Sequence, residues 1–233
     1  MLRNAKLKEW FVDIWSVDLL FDCTALQFFL STLSAEELAK LEGFKLQQQS
    51  NRYLAVRGVL RQILAGYLEV QPADLIFVRN VYGKPFLANA SLFFNISHSG
   101  DCLLIAVSDF DSIGVDIELI KSGRNLLGLA KRCFSADELN FWFSLPEDAR
   151  ERWFYQLWVR KEAFVKAVGR GIALGLDLCE LQLPSLDRLS KIPDDFGLAD
   201  NWKVAGLQVA DDSVAALVMP NRSLVLNQYG FEL

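Results

Sequence analysis

Apolar and polar residues alternate with a period of two along residues 113–119, which is the pattern of a β-strand with one buried face. Asp116 and Glu118 fall on the face opposite the apolar side chains, so that their two carboxylates project side by side. The apolar face consists of Ile113, Val115, Ile117 and Leu119. The pattern therefore predicts a strand that presents a pair of neighbouring acids.

Several shorter apolar or β-branched runs predict further strands. These runs are residues 75–78, 102–107, 178–183, 202–209 and 214–218. Residues 82–85, Tyr-Gly-Lys-Pro, have the composition of a turn. Residues 94–100, Phe-Asn-Ile-Ser-His-Ser-Gly, are expected to form a polar loop that leads into the strand beginning at Cys102.

A spacing of three and four residues between apolar side chains indicates helices in two regions. The first begins after Ser34, extends to about Val70 as one or two helices and is expected to end before Pro72, and the second covers residues 148–168. Two Ser-x-x-Glu sequences, which begin at Ser34 and Ser135, have the form of a capping box and predict two helix starts.

The predicted elements run as helices followed by strands, twice over, with hairpin-like turns between neighbouring strands. This order indicates the α+β class with mainly antiparallel sheets. The turn at residues 109–112 is the expected boundary between an N-terminal lobe, residues 1–111, and a C-terminal lobe, residues 112–233. No direct sequence repeat relates the two halves.

The composition is that of a folded protein with a large core, since 52% of the 233 residues are hydrophobic. No apolar stretch approaches the roughly 18 residues that a membrane span needs, and the first residues lack the apolar region of a signal peptide. The four cysteines are far apart and form no CxxC pair, which favours reduced thiols. We therefore expect a soluble, cytoplasmic protein.

His98 is the only histidine, and this excludes every site that needs two imidazoles, including HExxH zinc centres. No GxSxG sequence is present to supply the nucleophile of a Ser-His-Asp hydrolase. A metal ion in this protein would therefore have to be held by carboxylates.

Charge is distributed unevenly along the chain, which has 24 basic and 29 acidic residues and a formal net charge of −5. Residues 119–134 and residues 150–170 each carry a net charge of +4. A locally basic face on an acidic protein suits phosphates or an acidic protein partner. The overall balance argues against general binding of nucleic acids.

Two carboxylates at positions i and i+2 of a strand lie about 7 Å apart, close enough to share a hard cation such as Mg²⁺. A solvated strand face is the ordinary alternative. Trp158, Glu162 and Lys166 are spaced by four residues and share one stripe of the second long helix. If that stripe faces the strand, Glu162 becomes a third oxygen ligand and Lys166 a partner for phosphate. The alternative is an ordinary surface pair.

Other basic and hydroxyl side chains are candidates for an anion site. Ser97 and His98 in the expected loop, with Lys84 in the turn, would bring several donors together where a glycine lets the backbone approach. A turn lysine and a surface histidine in water are the alternatives. Three arginines lie along the first long helix, where solvation at the surface is the favoured interpretation: Arg52, Arg57 and Arg61.

Four short motifs follow one another over about 85 residues of the chain. They are Gly83-Lys84-Pro85, Phe94-Asn95-Ile96-Ser97-His98-Ser99, Ile113-Gly114-Val115-Asp116-Ile117-Glu118, and a W-x-x-K-E-A-x-x-K sequence from Trp158 to Lys166. In this order they resemble the motifs of the Sfp-type 4'-phosphopantetheinyl transferases. The helical region before Tyr82 also looks like the N-terminal half of that family.

The resemblance implies a fold of two similar α+β lobes related by a pseudo-twofold axis, with coenzyme A bound in the cleft between them. It implies that Asp116, Glu118 and Glu162 hold Mg²⁺ against the pyrophosphate of coenzyme A. The side chains that would line the coenzyme A site are Lys84, Pro85, Ser97, His98, Lys161 and Lys166.

The site for the 3'-phosphate of coenzyme A is matched less completely. Arg52 looks like the family arginine that binds this phosphate, and Arg57 is the second candidate. Of a family lysine pair further upstream, Lys40 stands for one member, whereas Glu37 lies near the position of the other.

The resemblance also implies an enzyme, a holo-[acyl-carrier-protein] synthase. A serine hydroxyl of an apo acyl or peptidyl carrier protein would attack the β-phosphate of coenzyme A, and adenosine 3',5'-bisphosphate would leave. Glu162 is expected to act as general base and Lys166 to stabilise the charge on the phosphate. Residues 119–134 are expected to dock the acidic carrier protein, and the enzyme is expected to be a monomer.

Two other functions compete with this one. A Mg²⁺-dependent phosphohydrolase of coenzyme A would form product without any carrier protein. A non-enzymatic coenzyme A-binding protein would bind without turnover. Carrier proteins of fatty acid, polyketide and nonribosomal peptide synthesis are all compatible with the sequence.

Overall fold

The computed structural model describes residues 10–89 and 91–233. Helices and strands are both abundant in these ranges, which confirms the α+β class. The α-helices are α1 (Cys23–Leu30), α2 (Ala35–Glu42), α3 (Gln47–Leu68), α4 (Leu127–Cys133), α5 (Ala136–Ser144) and α6 (Glu147–Ala167). The strands are β1 (Phe11–Asp18), β2 (Phe77–Arg79), β3 (Pro85–Leu87), β4 (Phe93–Ser99), β5 (Cys102–Ser108), β6 (Gly114–Leu119), β7 (Glu180–Leu181), β8 (Leu189–Lys191), β9 (Trp202–Leu207), β10 (Ser213–Pro220) and β11 (Val225–Gly230). No helix in the described part of the chain is both long enough and apolar enough to cross a membrane.

Two larger sheets and two hairpins contain these strands. The four-stranded sheet has the order β11-β1-β5-β4, and the three-stranded sheet has the order β6-β10-β9. β2 pairs with β3, and β7 pairs with β8. Within the described residues every pair is antiparallel except β1 with β11, so the prediction of mainly antiparallel sheets is confirmed.

Helices and sheets pack in four layers. Helices α1 and α3 cover one face of the four-stranded sheet, where Phe29, Leu60 and Leu103 are fully buried. The opposite face of this sheet packs on the three-stranded sheet, and Leu104 and Val115 lie in that middle core. Helix α6 covers the outer face of the three-stranded sheet. The edge strands β4 and β6 consequently lie side by side, each from a different sheet.

Both predicted capping boxes are confirmed. Ser34 Oγ accepts a hydrogen bond from the Glu37 N–H, and the Ser34 N–H donates to the Glu37 carboxylate; Ser135 and Glu138 repeat this exchange. Each glutamate also accepts from a buried cation on a long helix. Arg61 Nε on α3 donates to Glu37 at 2.7 Å, and the ammonium of a lysine on α6 donates to Glu138.

The two buried cations also donate hydrogen bonds to backbone carbonyls outside the capping boxes. Arg61 donates to the carbonyls of Pro72 and Leu75, at 2.6 and 3.1 Å. Lys161 donates to the carbonyls of Cys133 and Leu176, at 2.9 and 3.0 Å. We call these two arrangements the capping-box ion pairs. The two halves share this device although their sequences show no direct repeat.

The long strands β1 and β11 were not predicted, and neither were the short strands β3 and β8. β1 and β11 pair in parallel, with Phe11 opposite Val225, and together form the outer part of the four-stranded sheet. β11 is exposed along most of its length, so its sequence lacks the alternation that a half-buried strand produces. This pairing joins the last strand of the described chain to the first.

Two predicted segments differ from the structure. Residues 94–100 were expected to be a loop, but most of them belong to strand β4, because the polar Asn95 and Ser97 are buried against β6. Residues 178–183 form a strand only at β7, since Leu176–Leu178 is a 3-10 turn. The helical region predicted between Ser34 and about Val70 is confirmed, and it consists of the two helices α2 and α3. The other predicted strands and α6 have bounds within two residues of those expected.

Candidate active site

Strand β6 presents its two acids on one face, as the alternation predicts, and that face packs under α6. Asp116 is only 4% exposed, so the alternative of a solvated strand face is wrong for this residue. Ser97 Oγ donates to Asp116 Oδ1 at 2.7 Å, and Ser99 Oγ donates to Glu118 Oε2 at 2.9 Å. Both acids of β6 therefore accept hydrogen bonds from serines of the neighbouring strand β4.

A glycine allows α6 to approach the strand that carries the acids. A Cβ atom at Gly114 would lie 2.0 Å from the carbonyl oxygen of Ala163 and 2.4 Å from the amide nitrogen of Ala167. Because no side chain fits there, α6 lies directly against β6. Two residues of the helical motif, Glu162 and Lys166, thereby join the acids of the strand.

Lys166 forms the closest contacts between α6 and the strand. Its ammonium donates to Asp116 Oδ1 at 2.6 Å, to Ser97 Oγ at 2.9 Å and to the carbonyl of Val115 at 3.3 Å. A lysine ammonium has three N–H donors, so these three acceptors satisfy it. The alternative of an ordinary surface pair between Glu162 and Lys166 is therefore wrong, because Lys166 binds Asp116 instead.

Two buried carboxylate oxygens at this site accept no hydrogen bond. Asp116 Oδ2 and Glu162 Oε1 have no partner among the described residues, although Glu162 is only 7% exposed. Burial, reinforced by the negative charge of Asp116, raises the pKa of Glu162 to about 7. Burial also raises the pKa of Asp116, against the opposing charge of Lys166, and raises the pKa of Glu118. The site therefore concentrates negative charge that its own residues only partly compensate.

The donor set suits a hard divalent cation, because it consists of carboxylate oxygens and includes two unpartnered, buried ones. The side chains nevertheless form no finished coordination shell. Across the described ranges, no group of three or more His, Cys, Asp or Glu side chains is placed so that it could hold a metal ion. Lys166 is bound to Asp116, and Glu118 is bound to Ser99. The ligand set Asp116, Glu118 and Glu162 thus remains a prediction.

The structure places Ser97 and His98 on opposite faces of β4. Ser97 joins Asp116 and Lys166, whereas His98 is exposed on the side of α3. Desolvation and the positive charges of Arg52 and Lys166 lower the pKa of His98. Arg52 itself donates to Asp101 at 2.6 Å. His98 and Arg52 therefore form a second group beside the carboxylates.

Lys84 lies in the predicted turn and binds the C-terminal end of α6. Its ammonium donates to the carbonyls of Ala167 at 3.0 Å and of Ile113 at 3.2 Å, and its burial lowers its pKa. Asn80 of the same turn donates to the Gly169 carbonyl at 2.9 Å. The turn is thus fastened to the helix that carries Glu162 and Lys166.

Arg57 and Pro85 line a cavity of about 810 Å³ between α2, α3 and the β2-β3 hairpin. Other basic residues around this cavity are Lys40, Arg61 and Arg79. Arg57 forms an ion pair with Glu37 and stacks over the Phe77 ring at 4.4 Å. Surface solvation is wrong for Arg61, which is 1% exposed. The cavity has the volume of a ligand site, and its lining carries four basic side chains against the two acidic ones of Glu36 and Glu37.

The structure places Lys161 in the core, apart from the other side chains for which the resemblance implies contact with coenzyme A. Its side chain is 0% exposed. It pairs with Glu138 in the C-terminal capping-box ion pair. Burial lowers its pKa, and the charge of Glu138 opposes this. Neighbouring residues of a helix point about 100° apart. Lys161 therefore points into the core while Glu162 faces the strand.

Three residues that contribute to the site were not selected from the sequence. Asn95 Oδ1 accepts from the Val115 N–H at 2.9 Å, Ser99 binds Glu118, and Gly114 admits α6. The period of two among Asn95, Ser97 and Ser99 was a usable signal, since it places all three on one face of a strand.

The raised pKa of Glu162 predicts that folding stability falls as the pH rises. The folded protein retains a proton that the unfolded chain releases above its ordinary pKa of 4.5, so stability is lost between that pH and about 7. In a chelating buffer we expect Glu162→Gln to be more stable than the wild type at pH 8 by about 3 kcal/mol, and similar to it at pH 4. Urea unfolding measures this difference. The exposed Glu42→Gln is the control, and a gain independent of pH would contradict the prediction.

Comparisons with known proteins cover both halves of the chain. A family model described as "4'-phosphopantetheinyl transferase superfamily" matches residues 112–218, and one described as "4'-phosphopantetheinyl transferase, N-terminal" matches residues 22–109. The chain is 36% identical over 212 residues to 4'-phosphopantetheinyl transferase HetI of Nostoc sp.. The matched region covers 89% of this chain and 87% of the relative. It is 33% identical over 168 residues to 4'-phosphopantetheinyl transferase Sfp of Bacillus subtilis, covering 71% and 74%.

These matches include the strand with Asp116 and the helix with Glu162 and Lys166, and they extend over nearly the whole chain. They confirm the resemblance that the four short motifs indicated. The chain belongs to the 4'-phosphopantetheinyl transferase superfamily.

Proposed function

We propose that the protein transfers the 4'-phosphopantetheine arm of coenzyme A to a serine of an apo acyl or peptidyl carrier protein. The proposed reaction depends on Mg²⁺ and releases adenosine 3',5'-bisphosphate. The names of the relatives support a phosphopantetheinyl transferase. The observation that carries the proposal is the convergence of Asp116, Glu118, Glu162 and Lys166 between β6 and α6.

Asp116, Glu118 and Glu162 would hold the Mg²⁺, and the unpartnered buried oxygens of Asp116 and Glu162 support this assignment. When bound, Mg²⁺ supplies charge neutralisation and polarisation of the phosphoryl oxygens. The family's ion would thus complete a site that now holds three carboxylates against one ammonium.

In the proposed reaction the serine oxygen of the carrier protein bonds to the β-phosphorus of coenzyme A. The bond between that phosphorus and the bridging oxygen breaks, and the oxygen leaves with adenosine 3',5'-bisphosphate. Glu162 takes the serine proton as general base. Lys166 stabilises the negative charge on the phosphoryl oxygens.

The remaining proposed coenzyme A contacts lie on both sides of this centre. Ser97 is next to Lys166, and Lys84 is held at the end of α6. For the 3'-phosphate of coenzyme A, Arg52 remains the first proposed contact, and Arg57 is the second. Arg57 and Pro85 line a cavity with room for that end of the molecule. Arg52 and the other proposed contact, His98, lie on the far side of β4.

A basic surface beside the site supports an acidic carrier protein as the partner. Its four cations are exposed, and none of them forms an ion pair within the described residues: Lys121, Arg124, Lys131 and Arg132. Leu127 and Leu129 lie between these cations and are 37% and 38% exposed. We propose that this carrier surface docks the partner and that one chain acts as a monomer. Its proposed lobes are residues 1–111 and 112–233, and β11 of the second lobe completes the four-stranded sheet of the first.

Reversal of charge on the carrier surface is expected to weaken docking without changing the chemistry. Lys121→Glu with Arg124→Glu should raise the KM for the carrier protein by about tenfold or more and leave the KM for coenzyme A nearly unchanged. Steady-state kinetics with each substrate varied in turn measures both constants. Lys203→Glu, at an exposed position of β9, is the control. Equal increases in both KM values would contradict the docking proposal.

Intact-mass measurement tests the function directly. A purified apo carrier protein is incubated with coenzyme A, Mg²⁺ and the enzyme, and its mass is expected to rise by about 340 Da, the mass of one phosphopantetheine arm. Adenosine 3',5'-bisphosphate released without a change in carrier mass would instead show a phosphohydrolase. Binding of coenzyme A without either product would show a non-enzymatic binding protein. Omitting Mg²⁺ tests the metal dependence.

A further inference from the structure

The surroundings of Lys166 have the chemistry of a cation site. One carboxylate, one hydroxyl and one backbone carbonyl surround its ammonium, from Asp116, Ser97 and Val115. These are the oxygen types that also surround hard metal ions in proteins. The side chain is only 25% exposed, so the positive charge is largely inside the site.

We propose that Lys166 is a built-in cation that fills the carboxylate site of the free protein and exchanges partners when ligands bind. It would leave Asp116 for a phosphate of coenzyme A as a divalent cation takes its place. The divalent cation and the phosphate ligand would therefore bind as a coupled pair. This inference rests on the proposed function, because that function supplies both ligands.

The hydrogen bonds of Lys166 show why a phosphate can bind it only in exchange for a present partner. All three donors of the Lys166 ammonium are used, so it must give up at least one acceptor to bind a phosphate. Asp116 Oδ1 already accepts from two donors, the ammonium and Ser97 Oγ. A metal ion that binds Asp116 through Oδ1 would therefore meet an occupied atom, and one that binds through the free Oδ2 would lie next to the ammonium.

The positive charge of Lys166 couples the binding of the divalent cation to that of the phosphate. A divalent cation bound to Asp116 would lie beside the Lys166 ammonium, which is 2.6 Å from that carboxylate. The positive charges of the cation and the ammonium would repel each other strongly in a buried site. An incoming phosphate removes this conflict, because it offers Lys166 a new anionic partner. Each ligand then improves the site for the other, and the coupling must be reciprocal.

The exchange also accounts for the incomplete metal shell. Asp116 Oδ2 and Glu162 Oε1 are buried and unpartnered, while the ammonium satisfies the other oxygen of Asp116. Three acidic side chains thus share one site without being placed to hold a metal ion, as far as the described residues go. The ammonium on Asp116, together with the hydrogen bond from Ser99 to Glu118, keeps the shell open.

Metal binding to variants tests the exchange. We expect Lys166→Met to bind Mn²⁺ at least tenfold more tightly than the wild type in the absence of coenzyme A, as measured by the electron paramagnetic resonance of free Mn²⁺. Lys166→Arg and the exposed Lys131→Met are the controls, and both should resemble the wild type. Coenzyme A should raise the Mn²⁺ affinity of the wild type more than that of Lys166→Met. Equal or weaker Mn²⁺ binding by Lys166→Met would overturn the proposal.

A measurement on the unaltered protein covers the case in which Lys166→Met does not fold. The ammonium resonance of Lys166, observed by ¹⁵N nuclear magnetic resonance, is expected to stay unchanged with Mg²⁺ alone at low concentration. It should shift when Mg²⁺ and coenzyme A are added together. A resonance that is the same in the free and the doubly liganded protein would show that the lysine keeps its partners.

The intact-mass assay separates this inference from the proposed function. If the carrier protein gains the phosphopantetheine arm and Mn²⁺ binding is indifferent to Lys166, the exchange is wrong and the transferase stands. If the wild type transfers nothing while the lysine variant binds Mn²⁺ more tightly, the exchange stands as a metal-site property and the proposed function fails.

Discussion

Asp116→Asn is expected to lower phosphopantetheinyl transfer by about 10³-fold or more, which corresponds to about 4 kcal/mol of transition-state stabilisation. The substitution keeps the shape of the side chain but removes the charge that would hold Mg²⁺. It also removes the ionic partner of Lys166, which lies 2.6 Å away. Initial rates of carrier-protein modification, followed by intact mass, measure the loss.

The fold must survive for this result to report on chemistry. Asp116 is buried, so circular dichroism and thermal unfolding of Asp116→Asn have to accompany the rates. Asp111→Asn removes an exposed carboxylate five residues upstream and serves as the matched control. A folded Asp116→Asn enzyme with near-normal rates would show that Asp116 holds no essential ion.

Lys161→Met is expected to cost about 3–5 kcal/mol of folding stability, because it leaves a buried carboxylate without its cation. Glu138 is 1% exposed and also accepts hydrogen bonds from the backbone of Ser135 and Leu181, so it cannot turn outward without breaking the helix start. Chemical denaturation measures the loss of free energy. Lys131→Met, at the surface, should change stability by less than about 0.5 kcal/mol.

A double substitution separates the ion pair from the loss of packing. Lys161→Met combined with Glu138→Gln removes both charges, and we expect it to recover part of the stability lost in the single variant. If the single variant lost less than about 1 kcal/mol, the capping-box ion pair would have no role in holding α5 against α6.

The two acids of β6 and the helical stripe of Glu162 and Lys166 were predictable because each rests on a simple period. A strand repeats every two residues and a helix about every 3.6, so residue numbers alone place these side chains on common faces. The same rule separates Lys161 from Glu162, since successive helical residues diverge by about 100°. The motif contains both residues, and only the helical period separates Glu162, which faces β6, from Lys161, which lies in the core.

The segment around Asn95 and Ser97 shows why other parts could not be predicted. Polar residues usually indicate a loop, yet here they are buried in a strand because a second sheet supplies their partners. That partner strand comes about 20 residues later in the chain, and nothing local reveals it. Likewise, β11 is recognisable only through β1, more than 200 residues away in sequence.

The parallel pairing of β1 with β11 has a practical consequence for dividing the molecule. A fragment that stops after β10 would leave β1 without its outer neighbour along Phe11–Ser16, and the exposed sheet edge would invite aggregation. Conversely, a synthetic peptide that contains β11 has a specific vacant edge to dock on. The protein is thus suited to split-reporter complementation, in which a short C-terminal tag restores a truncated enzyme.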